Sequence, residues 1–261
     1  MEEQKYEDVS TALESLEKIL VTEENFKSPR LPLHSFLTPS RPVRLTVEEI
    51  FTRSSFAYLD GRRWGLARRE RENLLKVSQK KDQPLTPIYL LECISDIFEG
   101  KIQRAANAYI RAAAETNFTN YVLDFYIMRE IITYLDIDFA PSLYQAYESV
   151  GVNNVSWFFS PIANALYRSK IETSHFAINE LGQIADSLIN EPGTKRFIAL
   201  FLRAIQGNRL LESGEYAWAE RVLTYTIERT QNLMDFNQPL LRALERDLAI
   251  AQDGIAHLSF Q

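Results

Sequence analysis

Between Gln206 and Asn232 the apolar and small residues recur at steps of three and four. Leu210 and Leu211 share one helix face, Gly214 interrupts it, and Tyr216, Ala219, Leu223 and Ile227 make the apolar stripe of a second helix. This period predicts a helix, a tight turn and another helix. Gly207 and Ala219 are small where the two helices approach, and Tyr216 fills the turn. The stretch 91–117 repeats the arrangement, with Gly100, Ile102, Ala105, Tyr109 and Ala112 in the corresponding places and Cys93 where Gly207 stands.

With the turn as a ruler, further hairpins are expected near Gly61, Asp138 and Ser174. The turns then fall near 61, 100, 138, 174 and 214, a spacing of about 38 residues. Boundary signals agree with this partition. Thr46-Val47-Glu48-Glu49 reads as a capping box. Thr86-Pro87 and Ser160-Pro161 put a capping hydroxyl before a proline at the first helical position. Asp138 is expected to cap a helix over 140–149, and Asn237 a last helix over 238–257. That last helix mixes Leu240, Leu241, Leu244, Leu248 and Ile250 with charged residues, as a terminal helix with one solvated face would.

The small-residue pattern of Gly207, Gly214-Glu215-Tyr216 and Ala219 resembles the tetratricopeptide repeat. Leu210 stands where that repeat usually has an aromatic, Thr226 where it has Ala, and no proline closes the unit near Asn232. The resemblance implies an all-α fold: a right-handed solenoid of about five antiparallel helical hairpins over 46–261, closed by a capping helix over 238–257. It also implies a binding surface lined by the first helix of each hairpin. Phe201, Ala204, Asn208 and Leu211 would form part of that groove. Asn208 sits where some family members use Asn to clamp a terminal carboxylate. The corresponding positions Leu90, Ile94 and Ile97 are apolar, which favours an apolar peptide or a partner helix instead.

Ahead of the hairpins, Tyr6, Val9, Leu13, Leu16 and Leu20 follow a 3-4-3-4 spacing, the narrow seam of an amphipathic helix over 1–26. Residues 27–45 carry prolines at 29, 32, 39 and 42 and read as a linker. The seam has three readings: it caps the first hairpin, pairs with a second copy as a homodimer, or meets another protein.

Charge divides the chain the same way. Residues 1–26 hold eight acidic against two basic side chains, 27–81 thirteen basic against five acidic, and 82–261 fourteen basic against twenty-two acidic. A basic block inside a chain of net charge -6 pairs with the chain's own acidic faces or meets an acidic partner. Its densest part is the patch Arg62, Arg63, Arg68, Arg69 and Arg71, whose planar donors suit phosphate or carboxylate. A second cluster, Val155 to Pro161, holds three successive aromatics and reads as interhelical core.

Catalytic chemistry finds no pattern. His34, His175 and His257 have no metal-ligand spacing, and Cys93 has no neighbouring histidine and reads as a small buried thiol. No phosphate loop, nucleophile elbow or dinucleotide fingerprint occurs. One cysteine, no signal-like start and no long apolar run point to a soluble cytoplasmic protein without membrane insertion, metal or cofactor. The expectation is a non-enzymatic scaffold or adaptor that binds a peptide or partner helix. The alternative is a helical-repeat regulator that binds nucleic acid through the 62–71 patch.

Overall fold

Two turns of identical construction set the frame. Gly100 and Gly214 both take a left-handed backbone, with φ of 70° and 78°. In each, the glycine N–H bonds back to the carbonyl three residues earlier (Gly100 to Ile97, Gly214 to Leu211, both 3.0 Å). The following N–H bonds five residues back (Lys101 to Asp96 at 2.7 Å, Glu215 to Leu210 at 2.9 Å). That pair of bonds is the Schellman termination, which an L side chain at the glycine position would strain.

The computed structural model describes residues 69, 72, 73, 75, 76, 85–115, 122–149, 161–172, 174–190, 194–234 and 236–258, and regular structure among them is entirely helical. In chain order the helices are α1 (Thr86–Phe98), α2 (Ile102–Ala114), α3 (Val122–Leu135), a 3-10 turn (Ile137–Phe139), α4 (Ala140–Ser149), α5 (Pro161–Ile171), α6 (His175–Ile189), α7 (Thr194–Glu212), α8 (Tyr216–Met234) and α9 (Gln238–Leu258). Short turns join α1 to α2, α3 to α4, α5 to α6 and α7 to α8, and each pair packs as an antiparallel hairpin. None of these helices is long and apolar enough to cross a membrane.

The small residues do the work their spacing implies. A Cβ on Gly207 would lie 2.4 Å from Leu223 Cδ2, so α7 and α8 meet at that point with no room for a methyl group. Cys93, Ala105, Ala112, Ala219 and Thr226 have no exposed surface. Thr226 satisfies its buried hydroxyl by donating to the carbonyl of Val222 at 2.6 Å. Tyr216 packs against Gly254 of α9, where a Cβ would come within 2.5 Å of its ring.

Contacts also run between elements far apart in sequence. Phe98 of α1 meets Phe197 edge-on at 5.5 Å and stacks on Phe201 at 6.2 Å, both on α7. Asn237, ahead of α9, donates to the carbonyls of Ile97 and Phe98 while its Oδ1 accepts from Leu240 N–H. A chain whose hairpins met only their sequence neighbours would lack these bonds.

Two local expectations are corrected and others are left aside. Thr86 does not cap α1: it lies inside the helix, Leu85 takes the cap position, and the Thr86 hydroxyl donates to Ala112 of α2 at 3.5 Å. At the turn before α4, Asp136 rather than Asp138 supplies the carboxylate, accepting from Asp138 N–H at 3.2 Å because its extended backbone aims the side chain forward. Ser174 accepts from Ala177 N–H at the start of α6. The 1–26 helix with its seam Tyr6, Val9, Leu13, Leu16 and Leu20, the 27–45 linker, the capping box at 46–49, the Gly61 hairpin and the 155–160 aromatics lie outside the described residues.

Candidate partner-binding site

The groove expected on the first helix of the last hairpin is not formed by the side chains assigned to it. Phe201 and Ala204 are fully buried, Phe201 against Phe98. Leu211 is partly buried on the core. Asn208 turns its amide to Asp247 of α9 at 3.4 Å, so a carboxylate of the same chain takes the place given to a ligand's. Leu90, Ile94 and Ile97 are buried as well. The physical reason is that α7 is a central helix, in contact with α6, α8, α9, α5 and α3. Its run Phe197 to Leu202 is buried at every position, and a helix apolar all round is interior.

The densest polar arrangement lies where α3, α5 and α7 converge. Glu130, 5% exposed, accepts from Arg129 Nη2 at 2.7 Å, from Lys170 Nζ at 3.2 Å and from Arg209 Nη2 at 3.4 Å. The three cations come from three different hairpins. The Arg129 guanidinium lies over the rings of Tyr126, Tyr144 and Tyr147 at 4.6, 4.4 and 4.4 Å. Lys170 also donates to the Tyr144 hydroxyl, and Arg209 reaches Glu212 at 2.7 Å. Burial pushes Tyr126 far above its ordinary range and Tyr147 up to about 12, with Glu130 adding to both and Arg129 opposing. With Glu130 in the middle this is an internal knot that ties hairpins together, and its cations are already engaged.

An open groove lies on the other side of α7. Helices α6 and α8 both pack on α7 but scarcely on each other. Between α7 and α8 lies a cavity of about 370 Å³, lined by Arg203 of α7 and by Trp218, Arg221, Val222 and Tyr225 of α8. Trp218, Val222 and Tyr225 fall at steps of four and three, so they form one stripe along α8. Tyr225 is 37% exposed, and Trp218 is braced by His175, whose ring stacks on it at 6.2 Å and 8°. At the floor, Arg203 is held by Asp186 of α6 and by Gln206 at 2.6 Å, while its Nε makes no hydrogen bond. Arg221 is exposed, bonds to the carbonyl of Ala217 at 3.3 Å and makes no ion pair among the described residues. Arg229 lies over the Tyr225 ring at 5.4 Å and extends the stripe.

The lining thus holds two aromatics, a buried valine and two guanidinium groups, of which Arg203 is taken up by Asp186 and Arg221 is exposed. Such a surface takes an anionic chain segment that also carries apolar side chains. Sequence reading passed over it, although Trp218, Arg221, Val222 and Tyr225 share one face of the very hairpin that revealed the repeat.

Of the basic patch, Arg69 is helical and exposed, whereas Arg62, Arg63, Arg68 and Arg71 lie outside the described residues. His175 and His257 are both exposed, and His175 is 3.3 Å from Glu215. Cys93 is a free, buried thiol whose pKa is pushed well up by burial, then by Asp96 and Glu92. Among the described residues no group of His, Cys, Asp and Glu is arranged to hold a metal ion. Comparison with family models, curated proteins and solved structures finds no match to this chain.

Proposed function

We propose that this chain is a protein-interaction scaffold whose α7–α8 groove takes an acidic, partly apolar segment of a partner. The observation that carries the reading is the lining itself: exposed Arg221 and Tyr225 stand beside Trp218, above Arg203, which is paired with Asp186, and the buried Val222. Guanidinium groups donate two parallel bonds to a carboxylate, and the aromatic stripe gives apolar side chains of the same segment a surface to leave water for. The four described hairpins fit the wider reading, a tetratricopeptide-like stack acting as an intracellular adaptor. The non-enzymatic part rests on the sequence, which carries no catalytic motif.

A groove of arginine and aromatic rings also suits the bases and phosphates of a single strand. The choice is made on the stripe, whose steps of four and three match an apolar helix face better than a run of stacked bases. The test is fluorescence anisotropy with a labelled designed peptide, acidic and with leucines at 3-4 spacing, against a labelled single-stranded oligonucleotide. Saturable peptide binding that Arg221→Glu weakens and Arg242→Glu leaves intact supports the reading. Binding of the oligonucleotide alone, or peptide binding indifferent to Arg221→Glu, overturns it.

A further inference from the structure

A second cavity, separate from the α7–α8 groove, lies where the α1–α2 turn, the end of α3 and the start of α9 meet. It holds about 360 Å³; α3 ends on it with Leu135 and Asp136, and α9 begins on it with Pro239, Arg242 and Arg246. We propose that this cavity binds a small zwitterion of the α-amino-acid class, with its carboxylate on Arg242 and its ammonium group at Asp136.

The charges of the lining are divided between two elements. Arg242 is exposed and makes no ion pair among the described residues. Arg246 is already engaged, its Nε and Nη2 lying 2.9 and 2.8 Å from Asp247 Oδ1, so a ligand's carboxylate falls to Arg242. Asp136, from the end of α3, is half-buried. One of its carboxylate oxygens accepts from Asp138 N–H at 3.2 Å, and the other makes no hydrogen bond among the described residues. Neither arginine of the lining pairs with it. The cavity thus keeps a cation and an anion apart, and a ligand bearing both charges answers the two together.

Helix polarity points the same way. The cavity takes in the N-terminal end of α9 at Pro239, where the helix carries partial positive charge, and the C-terminal end of α3 at Leu135, where it carries partial negative charge. Each end reinforces the side chain beside it, favouring a carboxylate toward Arg242 and an ammonium group toward Asp136. Ile102 and Leu135 are 8% exposed and Ala243 4%, so the floor offers little apolar surface and the charged ends of a ligand, not a large side chain, decide binding. A dianion would set its second charge against Asp136, and a simple amine would leave Arg242 unanswered.

The experiment is a ligand-observed nuclear magnetic resonance titration of the full chain with L-alanine, propionate and ethylamine, at neutral pH and low salt. Propionate lacks the ammonium group and ethylamine lacks the carboxylate. The expected result is saturable binding of alanine, at least about tenfold tighter than either of the others, because each charge-assisted contact contributes about a factor of ten or more. Arg242→Gln should weaken alanine binding at least about tenfold. Asp136→Asn, which keeps an oxygen for the Asp138 N–H, should bring alanine down to the level of propionate. Arg221→Glu, in the other groove, should change nothing, and circular dichroism verifies that each variant is folded. Propionate binding as tightly as alanine overturns the proposal, and so does the absence of saturable alanine binding. Alanine binding that ignores both Arg242→Gln and Asp136→Asn overturns it as well. Should Asp136→Asn fail to fold, the comparison of alanine with propionate on the native chain still decides.

Discussion

Asn237 donates from its side-chain amide to the carbonyl of Ile97 at 2.8 Å, a bond between residues 140 apart in sequence. The same amide reaches the Phe98 carbonyl at 3.2 Å, and its oxygen caps α9 by accepting from Leu240 N–H at 3.2 Å. One buried side chain therefore closes the end of α1 and opens the last helix. Asn237→Ala is expected to cost about 2–4 kcal/mol, the sum of a lost cap and buried carbonyls left without a donor. Asn237→Asp, which keeps the cap acceptor but sets a buried carboxylate against the two carbonyl oxygens, should cost at least as much. Urea unfolding reads both. A single transition shared by probes in α1 and α9 would follow from this tie, and separate transitions would argue against it.

Gly207 and Gly214 have different reasons for being glycine, and alanine separates them. At Gly207 a methyl would collide with Leu223, so Gly207→Ala should destabilise by about 1–3 kcal/mol, and trimming Leu223 to Ala in the same chain should cost less than the two changes summed. At Gly214 nothing lies within 4 Å, and the φ of 78° is the obstacle. Gly214→Ala should cost about 1–2 kcal/mol with no such coupling to Leu223.

Glu130 holds three cations together from the interior. Glu130→Gln keeps the shape and removes the charge, leaving Arg129 buried beside Lys170 and Arg209 without a counterion. Breaking a buried pair from one side costs about 3–5 kcal/mol. Thermal unfolding should register this as a large fall in Tm, whereas Glu172→Gln, which removes a solvent-exposed partner of Arg168, should leave Tm nearly unchanged.

Burial raises the hydroxyls of Tyr109, Tyr126, Tyr134 and Tyr147 and the thiol of Cys93 above their ordinary values, Tyr147 to about 12. In the unfolded chain these groups ionise near their ordinary values, about 8.5 for the thiol and about 10 for the phenols. Between the two, the folded state binds more protons than the unfolded one, so stability falls as pH rises. It should be fully present below about pH 8 and lost progressively through about pH 10 to 12. Absorbance of tyrosinate against far-ultraviolet dichroism checks this: the buried phenols should ionise together with unfolding. Cys93 should likewise stay unreactive toward a thiol reagent until the chain unfolds.

Much of the helical frame was legible because its signals are local. A glycine that ends a helix in the left-handed conformation needs no distant partner, so Gly100 and Gly214 announced both turns. Thr86 misled because a hydroxyl before a proline is ambiguous until a neighbouring helix offers it a carbonyl, here that of Ala112. The site was harder. Phe201 and Ala204 looked like a groove under an assumed repeat geometry, but Phe98 and α9 cover α7 through contacts that no local pattern encodes. Arg129, Glu130, Lys170 and Arg209 lie as much as 80 positions apart, and only the packing of α3, α5 and α7 brings them together. Four of the five groove residues share one face of α8 and Arg203 comes from α7; what no local pattern encodes is the packing that leaves Arg221 and Tyr225 exposed there.

The cavity beside Trp218 and Arg221 is expected to seat an acidic partner segment. Hydrogen–deuterium exchange of the full chain, with and without a saturating acidic peptide of 3-4 leucine spacing, tests it most directly. Slowed exchange is expected near Asp186, Arg203 and Gln206 and along Trp218 to Arg229, with Ile102 to Ala114 unchanged. Protection confined to other helices, or none under conditions where the peptide is bound, would contradict the assignment of the groove.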